Sequence, residues 1–132
     1  MSPNQLIQTF MEQLWNQKDI SMIDQFFTNK TDIHSPIKKT QGKEEMQTIV
    51  KQWLRAFPDL HCDWQDWIVE ENKVMVRWIA KGTHQGQFME FPATGKNIQY
   101  AGVSIYQLRE EMITEYWGLV DMYNLTKQLT AH

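Results

Sequence analysis

The chain has 132 residues, 42% hydrophobic and 22% charged, with a net charge of -3, the make-up of one globular domain over residues 1–132 rather than a disordered chain. Lys38-Lys39 is the only basic doublet, so nucleic acid is not an expected partner; no apolar run approaches the roughly 20 residues that span a bilayer, so neither is a membrane. The single cysteine, Cys62, cannot form an internal disulfide, and no basic stretch followed by an apolar one opens the chain, which together suit a reducing cytoplasm.

Ser2-Pro3-Asn4-Gln5 reads as a helix start, with Ser as N-cap, Pro at the first helical position and Gln completing a capping box. Leu6, Phe10 and Leu14, with Ile7, Met11 and Trp15, give that helix one apolar face to about Trp15. A short second helix from Asp19 or Ser21 would bury Ile20, Ile23, Phe26 and Phe27 before Asn29-Lys30 breaks it. Thr31 to Ile37 is extended, since Pro36 keeps Ser35 out of the helical region, and it carries His34. Gly42 to Phe57 is the strongest helix, with Met46, Ile49, Val50, Trp53, Leu54 and Phe57 at helical spacing and Pro58 ending it. Trp53 and Phe57 face inward, as cavity lining or as plain core.

From Leu60 the pattern changes to strands. Leu60–Val69 and Val74–His84 flank a turn at residues 70–73, and both sides of the second strand are substantially apolar. Helices within the chain cover one side; a second copy of the chain is the simplest cover for the other, so a homodimer is expected. Gly86–Lys96 is a loop or bulged bend. Ile98–Arg109 and Met112–Asp121 then pair as a hairpin. Alternation puts Ile113, Glu115, Trp117, Leu119 and Asp121 on one face of the last strand and Thr114, Tyr116, Gly118 and Val120 on the other. With Glu110-Glu111 as a two-residue turn, Ser104 lies opposite Trp117, Tyr106 opposite Glu115 and Tyr100 opposite Asp121. The expected pocket wall is therefore Tyr100, Ser104, Tyr106, Glu115, Trp117 and Asp121. Asp121 reads equally as the N-cap of a last helix through Met122, Leu125 and Leu129. Helices followed by an antiparallel meander make an α+β arrangement.

His34, His61 and His84 lack the close spacing of metal ligands, so no metal is expected; phosphate-binding, dinucleotide-binding and serine-nucleophile motifs are absent, so no cofactor is expected either. Cys62 has His61 on the opposite side of its strand and reads as a small core residue.

Gly82-Thr83-His84-Gln85-Gly86-Gln87-Phe88, then Pro92-Ala93-Thr94-Gly95-Lys96, Glu115-x-Trp117-x-x-x-Asp121 and Gln128-Leu129, resemble the SnoaL-like polyketide cyclase (ester cyclase) family of the nuclear transport factor 2-like superfamily. The resemblance spans most of the chain and implies a cone-shaped α+β barrel, helices packed on a strongly curved antiparallel sheet, commonly dimeric through that sheet. It implies an intramolecular aldol condensation without metal or cofactor, carried by a histidine and an aspartate on the last two strands. Those two positions fall on Ser104 and Gly118, neither of which transfers a proton; the acid that does match is Asp121.

Two functions follow. One is a general acid–base enzyme on a small, largely apolar carbonyl compound, with Asp121 as base, His34, His84 or Tyr100 as proton donor, and Trp53, Phe57, Tyr100, Ser104, Tyr106, Glu115 and Trp117 binding the substrate. The other is a non-catalytic small-molecule binding protein on the same fold. An interaction module, needing an exposed apolar patch outside the dimer contact, is a third.

Overall fold

The computed structural model describes residues 1–131. Helix α1 (Pro3–Met11) starts with the capping box: the Gln5 N–H donates to Ser2 Oγ at 3.2 Å and the Ser2 N–H to Gln5 Oε1 at 3.1 Å. It continues as a wider π-helical turn, Glu12–Asn16, which the apolar spacing does not reveal. Asn16 there grips both backbone groups of Cys62, accepting from its N–H at 2.7 Å and donating to its carbonyl at 3.0 Å.

Helix α2 (Ser21–Phe26) ends one residue earlier than expected, because Phe27 opens strand β1 (Phe27–His34). Asn29 and Lys30 sit inside that strand, where its register against the last strand shifts between Phe27 and Asp32. A three-residue strand β2 (Lys39–Gln41) leads into α3 (Lys43–Ala56), whose Met46, Ile49, Val50 and Trp53 are buried. The meander is β3 (His61–Glu70), β4 (Lys73–Thr83), β5 (Asn97–Arg109) and β6 (Met112–Val120), and α4 (Met122–Thr130) closes the described chain.

The strands form one sheet in the order β2-β1-β6-β5-β4-β3. It is mixed rather than wholly antiparallel, because β1 runs parallel to β6. A hairpin cannot join parallel neighbours, whereas the long path through α3 and the meander can. The sheet is open, with β2 and β3 at its edges, so the cone is not closed by strand pairing. Helix α1 packs on β3 and β4, and α3 on β1, all on one face, called inner below. Strand β4 alternates buried Val74, Val76, Trp78 and Ala80 inward with Met75, Arg77, Ile79 and Lys81 outward. The outer face stays apolar as well, with Ile68 and Leu119 exposed and Met75, Ile79, Val103, Ile105 and Trp117 half-buried. No helix is long and apolar enough to cross a membrane.

The β5–β6 hairpin corrects the predicted register. Its tip is as expected, Arg109 opposite Met112 and Leu108 opposite Ile113, with Glu110 and Glu111 both at positive φ. Thr114 is then bulged out, and from there Gln107 faces Glu115, Tyr106 faces Tyr116 and Ser104 faces Gly118. One inserted residue exchanges the two faces of a strand beyond it. Tyr116, Gly118 and Val120 therefore turn inward with Ile113, while Glu115, Trp117 and Leu119 turn outward.

Candidate functional site

The inner face holds a narrow cavity with about 30 Å³ of space for water-sized spheres, lined by Met11, Trp15, Pro36, Trp53, Leu60, Cys62, Trp64, Trp78, Tyr100, Ser104, Tyr116 and Val120. Its construction follows from two glycines. Trp78 lies across Gly102, its partner on β5, where an added methyl group would meet the indole ring at 2.5 Å. Tyr116 folds back over Gly118, so that a methyl there would overlap the phenol oxygen. Each missing side chain is thus filled by a neighbouring aromatic, and close packing leaves little slack for either to move.

The aromatics hold one another in place. Tyr100 stacks on Trp53 with ring centroids 5.4 Å apart and meets Trp78 edge-on at 5.8 Å. Tyr116 stacks on the fully buried Tyr106 at 5.2 Å, and the Tyr106 hydroxyl donates to Met11 Sδ at 2.7 Å. At one wall the Trp64 indole N–H donates to Glu12 Oε1 at 3.1 Å, and Asn16 Nδ2 donates to the same oxygen at 2.8 Å. Burial raises the Glu12 pKa, but these hydrogen bonds outweigh it and hold the group below the ordinary carboxylate value. The π-helical turn thereby ties Glu12, Trp64 and the Cys62 backbone into one unit.

Polar atoms in the cavity are few and uncharged. Trp78 Nε1 donates to Ser104 Oγ at 3.0 Å. Burial pushes the Cys62 thiol up to about 12, with Asp63 and Glu12 adding to it. Burial also carries Tyr116 up to about 12, against the pull of the Ser104 hydroxyl, and moves Tyr100 and Tyr106 well above the usual phenol value. Among the described residues no carboxylate, imidazole or ammonium lines the cavity. Among the described residues no group of three or more His, Cys, Asp and Glu is placed to hold a metal ion.

The predicted site residues part company here. Trp53, Tyr100 and Ser104 line the cavity; Phe57 and Tyr106 are fully buried behind it. Glu115 and Trp117 lie on the outer face, a correction that follows from the bulge at Thr114. There His34 stacks on Trp117 at 5.4 Å and its Nε2 is 2.8 Å from Glu115 Oε2, with Lys73 Nζ 5.3 Å from the indole centroid on the same face. Asp121 is exposed and caps α4, accepting the Asn124 N–H at 3.0 Å. Its own N–H donates to Ala101 O at 3.1 Å, so Tyr100 does not face it.

His84 is buried at the bend after β4, against Phe57, where its Nδ1 accepts the Thr94 N–H at 3.2 Å. That bond fixes the proton on Nε2, and Nε2 has no partner. Burial holds the His84 pKa below the ordinary imidazole value. None of Asp121, His34 and His84 lines the cavity. Sequence reasoning missed Tyr116, Trp78, Trp64, Trp15, Cys62 and Val120. The signal for Tyr116 and Val120 was present, since they alternate with Gly118, one of the two positions the family resemblance singled out.

Solved structures share this architecture. The chain is similar to AclR, a proposed hydroxylase from Streptomyces galilaeus, with 26% identity, 98% of this chain and 82% of that one covered, and a TM-score of 0.84. It is similar in fold to IdmH, a proposed polyketide cyclase from Streptomyces antibioticus, with 22% identity, 99% and 100% coverage and a TM-score of 0.84. A SnoaL-like polyketide cyclase from Agrobacterium tumefaciens gives 16% identity, 98% coverage of each chain and a TM-score of 0.82. No curated protein matches the sequence. The family model for SnoaL-like polyketide cyclase matches residues 5–129, nearly the whole chain, and the chain belongs to that family.

Proposed function

We propose that the cavity binds a small, uncharged, largely apolar molecule carrying a carbonyl group, and that the chain is a binding protein rather than an acid–base catalyst. One observation carries this: among the described residues, no side chain lining the cavity takes up or releases a proton near neutral pH. General acid–base catalysis needs a group whose pKa lies near the working pH, within hydrogen-bond reach of the reacting atom. A mostly apolar pocket with a few fixed polar atoms suits orientation of a ligand instead. Aldol chemistry on the lines of the family's cyclases would require Asp121, His34 or His84 to reach the cavity, and each is engaged elsewhere.

The outer face supports a homodimer. Ile68 and Leu119 are 56% and 59% exposed there, beside half-buried Met75, Ile79, Val103, Ile105 and Trp117. A second copy laid on this face would cover that patch, and light scattering at micromolar concentration tests it.

Binding is tested by titrating cyclohexanone, a small uncharged ketone, and following tryptophan fluorescence. Saturable quenching that Val120→Trp abolishes by filling the cavity is expected. Turnover of a carbonyl substrate that is lost in Asp121→Asn would overturn the binding reading and restore the enzyme.

A further inference from the structure

The cavity as it stands has room for a water molecule or two, so a compound as large as a six-membered ring enters only if a wall residue moves. Trp53, Trp78, Tyr100 and Tyr116 are buried, and each is packed on a neighbouring ring. Trp64 is different. It is half-buried, it lines the cavity, and it also lines a groove on the surface between α1 and β3, beside Thr9, Glu12 and Trp67. One indole thus stands between the two spaces.

Two irregularities of the backbone meet at this ring. The β3–β4 ladder shifts at Gln65, the residue next to Trp64, which turns Trp64 and Trp67 to the same face with ring centroids 6.1 Å apart. Strand β3 is also an edge strand, paired on one side only. Opposite it lies the π-helical turn, whose Asn16 is fixed on both backbone groups of Cys62 and donates to Glu12 Oε1 at 2.8 Å. The carboxylate is thereby held as a post, and the Trp64 indole N–H donates to the same oxygen at 3.1 Å. An indole has a single donor, so this one bond is all that fastens the ring by hydrogen bonding.

We propose that Trp64 is a side gate to the cavity, latched to Glu12 and opened when the indole swings into the surface groove beside Trp67, and that a ligand enters and leaves between the π-helical turn and β3. As an entry route this rests on the cavity's being a ligand site. Bulges and π-helical turns each re-aim side chains at the expense of regular pairing, and here both act on one ring. Glu12 and Asn16 are positioning residues, holding the post to which the ring returns. The groove already contains an indole, Trp67, to receive the swung ring, so the aromatic surface that leaves the wall is not handed to bare water.

Cys62 is the only cysteine and lines the cavity, so its reaction with methyl methanethiosulfonate, a small uncharged reagent, reports opening without any ligand. The thiolate attacks the reagent's methylthio sulfur, forming a methyl disulfide and releasing methanesulfinate, and the gain in mass gives the rate. Glu12→Ala and Trp64→Phe, which remove the acceptor and the donor, should each speed the reaction about tenfold, the range of one hydrogen bond to a charged group. Glu12→Gln keeps an acceptor oxygen without the charge and should stay within about threefold of the unaltered protein. Because Glu12 also raises the Cys62 pKa, an acceleration in Glu12→Gln as large as in Glu12→Ala would show that charge alone controls the thiol, and would overturn the latch. The rates should hardly change in about 1 M urea, since turning one side chain exposes little surface; a steep rise with urea would mean that general unfolding exposes the thiol and would end the gate. Unchanged rates in both Glu12→Ala and Trp64→Phe would end it too. Thiol access controlled by the latch, with no binding of cyclohexanone, would uphold the gate and overturn the ligand reading; cyclohexanone binding without that control would do the reverse.

Discussion

The two faces of the sheet are built from the same strands and carry opposite chemistry. Inward, Trp78, Tyr100, Ser104 and Tyr116 offer rings and hydroxyls with no charge among them. Outward, His34 meets Glu115, Arg77 meets Asp66 at 2.6 Å, and Lys73 lies over Trp117. Every group on the sheet that could serve acid–base chemistry near neutrality is on the outside. Which residues fall on which side of β6 is decided by one bulged residue, Thr114. A pairing without it would have put Glu115 and Trp117 in the cavity and Tyr116 on the surface.

The contrast is broken most strongly by truncating the same residue type on each side. Trp53→Ala should lower the unfolding free energy by about 3–5 kcal/mol, the cost of emptying a packed aromatic site. Trp117→Ala should cost less than about 1 kcal/mol in the monomer and act instead on self-association, seen as a concentration-dependent change in light scattering. Equal losses in denaturant melts would mean the outer face is part of the core. Next in size is Asp121, which sits where β6 leaves the sheet. Asp121→Ala should cost about 1 kcal/mol through the lost cap, and Asp121→Asn almost nothing, with ligand affinity unchanged in both.

The smallest effect expected is that of His84. Its folded pKa is depressed by burial below the ordinary 6.5. A group with a lowered folded pKa takes up its proton more readily in the unfolded chain, so its stabilising effect is full above about pH 6.5 and drains away as pH falls toward the folded value. Denaturant melts between about pH 7 and pH 5 should show stability falling, and His84→Gln should flatten that slope, whatever its own cost.

Much of the frame was legible in the residues. The Ser2–Gln5 box, the spacing in α3, Pro58 and the alternation in β4 are local signals, and local physics places them. The parallel pairing of β1 with β6 depends on contacts between distant segments and leaves no local mark. The bulge at Thr114 is equally silent, because Met112–Val120 alternates plausibly in either register, and that single ambiguity moved Glu115 and Trp117 into the expected site and Tyr116 out of it. The π-helical turn was hidden for the same reason, since Glu12–Asn16 fits an α-helix until the grip of Asn16 on Cys62 is known. Asp121 had two physical readings from the start, and its hydrogen bond to the Asn124 N–H is that of the cap.

The most direct test of an uncharged, proton-inert cavity is the dissociation constant of cyclohexanone across about pH 5.5 to 9, with circular dichroism confirming the fold at each point. Carboxylates and imidazoles titrate within or just below that window, whereas the thiol and phenols of the cavity lie above it. A constant that stays flat within about twofold is expected. A sigmoidal or bell-shaped dependence with a midpoint inside the window would show that an ionising group meets the ligand, and would contradict the reading of this face as a charge-free site.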